Sequence, residues 1–161
     1  MTEFRTGTGW DSHRIDQSRP LILGGVRIES SFGLAGHSDA DVLSHAITDA
    51  ILGASAQGDI GMHFSDKDPQ WKDAESSHFL HHALQIVRLS GFEVVNIDAT
   101  VILENLKLAP HRTAIREKLA AVLGLAVDRI SVKFKTAEGV GPVGEGLSAE
   151  AQAIATIVRR S

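Results

Sequence analysis

The sequence predicts an α+β fold, a single mixed β-sheet with its helices packed on one face, held in one domain over residues 1–161. Three observations predict it. The C-terminal tail places apolar residues with a period of two, the repeat of a strand buried on one side, and residues 3–15 also read as a strand. Three internal segments repeat apolar residues at helical spacing. No linker, low-complexity tract or internal repeat divides the 161 residues, a length that suits one compact domain with its own core. The resulting order, β-β-α-α-β-α-β-β, brings strands from both ends into one mixed sheet.

Residues 3–15 and 20–28 read as strands joined by a polar turn around Asp16 to Arg19. The second, PLILGGVRI, has the content of a buried strand, and its Gly-Gly pair predicts a bulge or a turn within it. A Gly- and Ser-rich stretch, ESSFGLAGHS, leads into the clearest helix signal, SDADVLSHAITDAILGASA. There Ser38 is placed to cap a helix beginning at Asp39, and Asp41 completes a capping-box-like pair. Val42, Leu43, Ala46, Ile47, Ala50, Ile51 and Ala54 supply its core stripe. The loop QGDIGMHFSDKDPQWKDA precedes a second helix from about Ser76 to Ser90, closed by Gly91. FEVVNIDATVILENL reads as a central strand, and HRTAIREKLAAVLG as an amphipathic helix that ends at Gly124. Ile130, Val132 and Phe134 share one face of a further strand. Apolar residues at 147, 149, 151, 153, 155 and 157 predict a final strand, although the alanine content also suits a helix.

An apolar fraction of 43% and a charged fraction of 22% are those of an ordinary soluble globular protein. The net charge of -4 leaves no electrostatic footprint for nucleic acid or an anionic membrane surface. No apolar run approaches the roughly 20 residues that span a bilayer, and MTEFRTGTGW lacks the pattern of a signal peptide, so a cytoplasmic protein is expected. With no cysteine there are no disulfides, and any zinc must be held by His, Asp or Glu. Eight histidines against two tryptophans and no tyrosine are the one imbalance that points to chemistry.

In GWDSHRI, Asp11 and His13 fall on the same face of a strand and offer a carboxylate and an imidazole to one metal ion. Two imidazoles and one carboxylate leave a fourth position open, the arrangement of a catalytic zinc. His45, aligned with Asp41 and Asp49 along the first helix, is the preferred third ligand, and His63 competes with it. His37 and Ser38 stand where the helix start would bind an anion such as phosphate. In GDIGMHFSDKD, Asp59 and Asp66 suit a hydroxylated or cationic ligand, with Gly61 allowing close backbone approach. In KTAEG, Thr136 offers a hydroxyl and Glu138 a carboxylate suited to Mg²⁺. Two motifs are set aside. His78 and His82 have helical ligand spacing without the glutamate of H-E-x-x-H. GVGPVG is followed by too few residues for a dinucleotide-binding unit.

Together, GWDSHRI, GHSDADVLSHAITDAILGASAQGDIGMHFSDKDP, KLAPH and KTAEG…GEG resemble the 2-C-methyl-D-erythritol 2,4-cyclodiphosphate synthase family of the non-mevalonate isoprenoid pathway, nearly end to end. The resemblance implies a divalent metal, usually zinc, on Asp11, His13 and His45, which rejects His63. It implies transition-state stabilisation by His37 and Thr136, and a Mg²⁺ or Mn²⁺ held by Glu138 between substrate phosphates. Asp59, Gly61 and Asp66, with Phe64 of the same D-I-G-x-x-F-x-D motif, match the loop that cradles the methylerythritol part, and Ser38 lies at the phosphate. The backbone of residues 103–109, with Lys107, matches a cytidine pocket.

The implied substrate is 4-diphosphocytidyl-2-C-methyl-D-erythritol 2-phosphate, closed to a cyclic diphosphate with release of CMP. The implied assembly is a homotrimer with active sites between subunits. GVGPVGEG is shorter than the family's G-F/Y-x-G-R-G-E-G loop and lacks its arginine, and LENLKLAPH replaces the commoner A-Q-x-P-K. The rival readings are a trimeric metal-binding protein of the same fold without turnover, and a zinc-dependent phosphohydrolase using Asp41 or Asp49 as base.

Overall fold

The structure, a computed structural model, describes residues 2–65 and 68–159. Its centre is a five-stranded mixed sheet built from β1 (Glu3–Asp16), β4 (Gly33–Leu34), β5 (Glu93–Ile102), β6 (Ile130–Lys135) and β7 (Ser148–Arg159), in the order β4-β1-β7-β5-β6. Only β5 and β6 run parallel; the other neighbours are antiparallel. The two ends of the chain meet in the middle, Glu3 pairing with Arg159 and Arg14 with Ser148. One face of this sheet is covered by α1 (Val42–Ala54), α3 (Ser77–Leu89) and α4 (Arg112–Leu123). The short turns α2 (Ile60–His63) and α5 (Gly141–Gly144) complete the helices. Among the described residues no helix is long and apolar enough to cross a membrane.

The segment 20–28 resolves in favour of the turn. β2 (Leu21–Leu23) and β3 (Val26–Ile28) form a separate two-stranded hairpin rather than one strand of the main sheet. Gly24 and Gly25, at φ 58 and 74, supply the two left-handed residues that a tight hairpin turn needs. Leu21, Leu23 and Ile28 tuck its apolar side into the core.

The first helix begins later than the local pattern predicts. Asp41, not Ser38, is its N-cap and accepts from the amide of Ser44. Asp41 is fully buried and also accepts from the Gly24 and Gly25 amides at 2.9 and 2.7 Å and from the Ser44 hydroxyl at 2.7 Å. The helix start is therefore closed by an internal carboxylate and is not an open anion site. Gly91 and Gly124 end α3 and α4 in left-handed conformation, as expected. In β7 the alternation is that of a strand: Ala149, Ala151, Ala153, Ala155 and Ile157 are buried, while Leu147 lies outside it and is 58% exposed.

What brings α1 onto the sheet is the smallness of its partners. A Cβ at Gly7 would stand 2.2 Å from the Ala50 carbonyl oxygen, and one at Gly9 would stand 2.0 Å from that of Ala46. The helix backbone rests on a strip of β1 that has no side chains, flanked by the alanines of β7. That close approach sets one face of α1 against the odd-numbered residues of β1. It also carries His45 to the strand that bears Asp11 and His13.

Candidate functional site

Asp11, His13 and His45 come from a strand and a helix that are distant in sequence, yet three of their atoms share one small volume. Asp11 Oδ2 lies 2.9 Å from His13 Nε2 and 2.9 Å from His45 Nδ1, and the two nitrogens are 3.2 Å apart. Tetrahedral ligands bonded to zinc at about 2 Å stand roughly 3.3 Å from one another, so the spacing is close to that of a metal site. These three residues are the one group of ligating side chains close enough to hold an ion among the described residues.

The outer nitrogens are both engaged. His13 Nδ1 donates to the Ala35 carbonyl at 2.6 Å, which leaves the lone pair of the neutral ring on Nε2. Ser76 commits its hydroxyl proton to Asp39 Oδ1, so its oxygen accepts from His45 Nε2 at 2.9 Å and the lone pair of that ring falls on Nδ1. Two lone pairs and a carboxylate oxygen then face each other, an arrangement that only protons or a cation can hold together. Burial works to raise the Asp11 carboxyl, but hydrogen bonds from His13 and His45 outweigh it and hold the group at about 2. Burial works against charge on His13, and its contact with Asp11 prevails and raises its pKa. A divalent cation would meet the same demand without the proton.

Around this cluster is a cavity of about 300 Å³ lined by Asp11, His13, His37, Ser38, His45, Ile60, Phe64, Ser65, Trp71 and Phe79. One wall is aromatic. The Phe64 ring centroid lies 4.5 Å from that of Phe79 and 4.9 Å from that of Trp71, and Phe79 packs on His45 at 5.7 Å. His37 and Ser38 of the loop 35–41 also line the cavity, and the Arg19 guanidinium holds that loop by donating to the carbonyls of Gly36 and Ser38. His37 is exposed, and Ser38 is buried with its hydroxyl 3.2 Å from His45 Nε2. Asp59 caps α2 through the Met62 amide at 3.0 Å, and Gly61 lies within that turn; neither lines the cavity. Asp66 lies outside the described residues. His63 turns away, bonding the Gln57 carbonyl at 2.8 Å and packing on His82.

A second, larger cavity of about 680 Å³ is lined by residues 103–110 and 134–136, and therefore holds Lys107 and Thr136. Glu138, at φ 52, accepts a hydrogen bond from the Thr136 hydroxyl. The two cavities share no lining residue. Asp11 aligns with Ala151, Ala151 with Val101 and Val101 with Phe134, so three inter-strand steps of about 4.8 Å put roughly 14 Å between the Asp11 and Phe134 backbones.

Sequence reasoning missed Arg19, Asp39 and Ser76 as supports of the site, and Trp71 and Phe79 as its wall. A signal for the wall exists: three of the eight Phe and Trp residues fall between positions 64 and 79. None marks Ser76, whose position looks like ordinary helix capping.

The model of the YgbB family matches residues 4–158. The 2-C-methyl-D-erythritol 2,4-cyclodiphosphate synthase of Solibacter usitatus is 63% identical over 157 residues, 98% of this chain and 99% of that protein. The bifunctional IspDF of Campylobacter jejuni superposes with a TM-score of 0.96 at 39% identity, over all of this chain and 44% of that one. The CDP complex of IspF from Plasmodium falciparum superposes with a TM-score of 0.85 at 33% identity, covering 98% of this chain and 97% of that one.

Proposed function

The chain belongs to the YgbB family, and from that premise we propose that it converts 4-diphosphocytidyl-2-C-methyl-D-erythritol 2-phosphate to 2-C-methyl-D-erythritol 2,4-cyclodiphosphate and CMP, as cytoplasmic isoprenoid-precursor enzymes do. Its 63% identity to a curated synthase across almost the whole of both chains supports the activity. The single observation that carries the site assignment is the convergence of Asp11 Oδ2, His13 Nε2 and His45 Nδ1 with both outer ring nitrogens already engaged.

In the reaction the 2-phosphate oxygen forms a bond to the β-phosphorus of the diphosphate while the bond to the CMP oxygen breaks. The nucleophile is already an anion, so no general base is needed, and the barrier is repulsion between phosphates together with the geometry of ring closure. Asp11, His13 and His45 would hold a zinc ion and Glu138 a magnesium or manganese ion, and such cations would supply positive charge to the phosphate oxygens. His37 and Ser38 donate towards the phosphates from the loop that Arg19 holds. Thr136 donates its hydroxyl to the phosphate chain in place of Glu138, which accepts it in the free protein. Ile60 and Phe64, which line the cavity, bound the methylerythritol end, with Asp59 and Gly61 in the adjoining turn and Asp66 following them in the sequence. Lys107 and the backbone of 103–109 hold the cytidine.

These assignments require a neighbour. One diphosphate cannot touch both the histidine cluster and Thr136 within a subunit when their strands stand roughly 14 Å apart. A homotrimer that sets the first cavity of one copy against the second cavity of the next removes the gap. The phosphohydrolase reading has less support: Asp41 is enclosed by four donors, and Asp49, which accepts from the Ile60 amide at 2.7 Å, does not line the cavity that holds the histidine cluster. The test is incubation of the full chain with the cytidyl substrate, Zn²⁺ and Mg²⁺. CMP and cyclic diphosphate in equal amounts are expected, and a linear monophosphate would overturn the proposal in favour of hydrolysis.

A further inference from the structure

Ser76 occupies the N-cap position of α3, yet its side chain makes no capping hydrogen bond. A serine there ordinarily accepts from a backbone amide of the first turn. Instead the hydroxyl, 1% exposed, stands 2.9 Å from His45 Nε2 and donates to Asp39 Oδ1. Asp39 is fixed in turn: its Oδ2 accepts from the Ser76 amide at 2.9 Å, and its own amide donates to the Ala74 carbonyl at 3.1 Å. A chain of hydrogen bonds thus runs from the Asp39 carboxylate through the Ser76 hydroxyl to the outer nitrogen of His45, on the side of the ring opposite Asp11 and His13.

Resting on the metal reading of the preceding section, we propose that Asp39 and Ser76 are a positioning pair for the metal centre, fixing the His45 proton on Nε2 so that Nδ1 presents a lone pair to the ion. Neither residue touches the ion or the substrate; both act through the imidazole. A carboxylate behind the hydroxyl makes it a stronger acceptor and raises the basicity of the ligating nitrogen. The buried Ser38 hydroxyl, 3.2 Å from the same nitrogen, lacks a carboxylate behind it and is the weaker partner. The Ser76 amide and hydroxyl on Asp39 tie the entry of α3 to the loop that carries His37, and a backbone bond from the Asp73 amide to the His37 carbonyl at 2.9 Å reinforces the seam.

The test uses the full chain stripped with a chelator and titrated with Zn²⁺ against a chromophoric competitor, with Co²⁺ absorption as the reporter of ligand geometry. Ser76→Ala is expected to weaken Zn²⁺ binding about 10- to 100-fold and to alter the Co²⁺ bands, whereas Ser76→Thr, which keeps the hydroxyl, restores both. Asp39→Asn is expected to fall between. His45→Ala is the control that separates the two readings. If His45→Ala loses Zn²⁺ while folded Ser76→Ala binds it as tightly as the native protein with unchanged bands, the positioning role is refuted and the metal site stands. If His45→Ala retains Zn²⁺, both are refuted. Nitrogen NMR of the metal-free native protein, with His45 neutral, decides the matter even if a variant does not fold: a proton on His45 Nε2 supports the pair, and a proton on Nδ1 overturns it.

Discussion

Asp41 illustrates how one side chain can organise two elements. Its carboxylate takes hydrogen bonds from the turn of the β2–β3 hairpin and from the first turn of α1 at once. Burial pushes its pKa up, while donors on Ser44 and Gly25 pull it down. Replacing it with alanine strands four donors, three of them buried, so Asp41→Ala is expected to lower stability by about 2–4 kcal/mol, read as a shifted urea midpoint. Asp49 is also raised, chiefly by burial, against the opposing bond from the Ile60 amide. A raised carboxyl binds its proton more tightly folded than unfolded. Its charge therefore costs nothing below the unfolded pKa, and the full cost is felt once pH exceeds the folded value. Asp49→Asn keeps an acceptor for Ile60 and removes that cost. In the metal-free protein it should raise stability at pH 7 by less than about 1 kcal/mol, read from urea unfolding, since the group is partly solvated, and leave it unchanged at pH 3.

The pairing of α1 with β1 depends on the absence of side chains at Gly7 and Gly9. Gly9→Ala places a methyl group against the helix backbone and cannot be absorbed by a rotamer change. It is expected to cost about 3 kcal/mol in thermal unfolding and to weaken Zn²⁺ binding, because moving α1 moves His45 away from Asp11. Such packing was hard to read from the sequence. The periodicity of Val42 to Ala54 identified α1 and its buried face, and the alternation after position 147 identified β7, because both patterns are local. The helix start was misplaced because Ser38 and Asp41 are equally good caps by local rule. The amides of Gly24 and Gly25, brought by a hairpin elsewhere in the chain, decide between them. Ser76, read only as the approximate start of the second helix, has a capping residue's identity but a histidine as its hydroxyl's partner. Asp11, His13 and His45 were legible only because a spacing of two in a strand could be joined to a motif recognised as a whole.

At the scale of the molecule, the helices cover one side of the sheet and leave the other bare, with Trp10 and Ile154 56% and 44% exposed on it. A sheet covered on one side and open on the other is suited to association with further copies. If each reaction site joins the histidine cluster of one subunit to Thr136 of the next, two inactive variants should complement each other. Mixing His45→Ala with Thr136→Ala after dissociation and reassembly is expected to restore about one quarter of native CMP release, the fraction of interfaces that pair two intact halves. No recovery, with trimers shown by ultracentrifugation, would place both halves in one subunit. The roughly 14 Å between the Asp11 and Phe134 backbones within one subunit then has a consequence of its own. A bound molecule that reaches from one cavity to its counterpart across the junction is a clasp as well as a reactant. Occupancy would hold the ring of subunits closed, and its release with CMP would loosen them once per turnover.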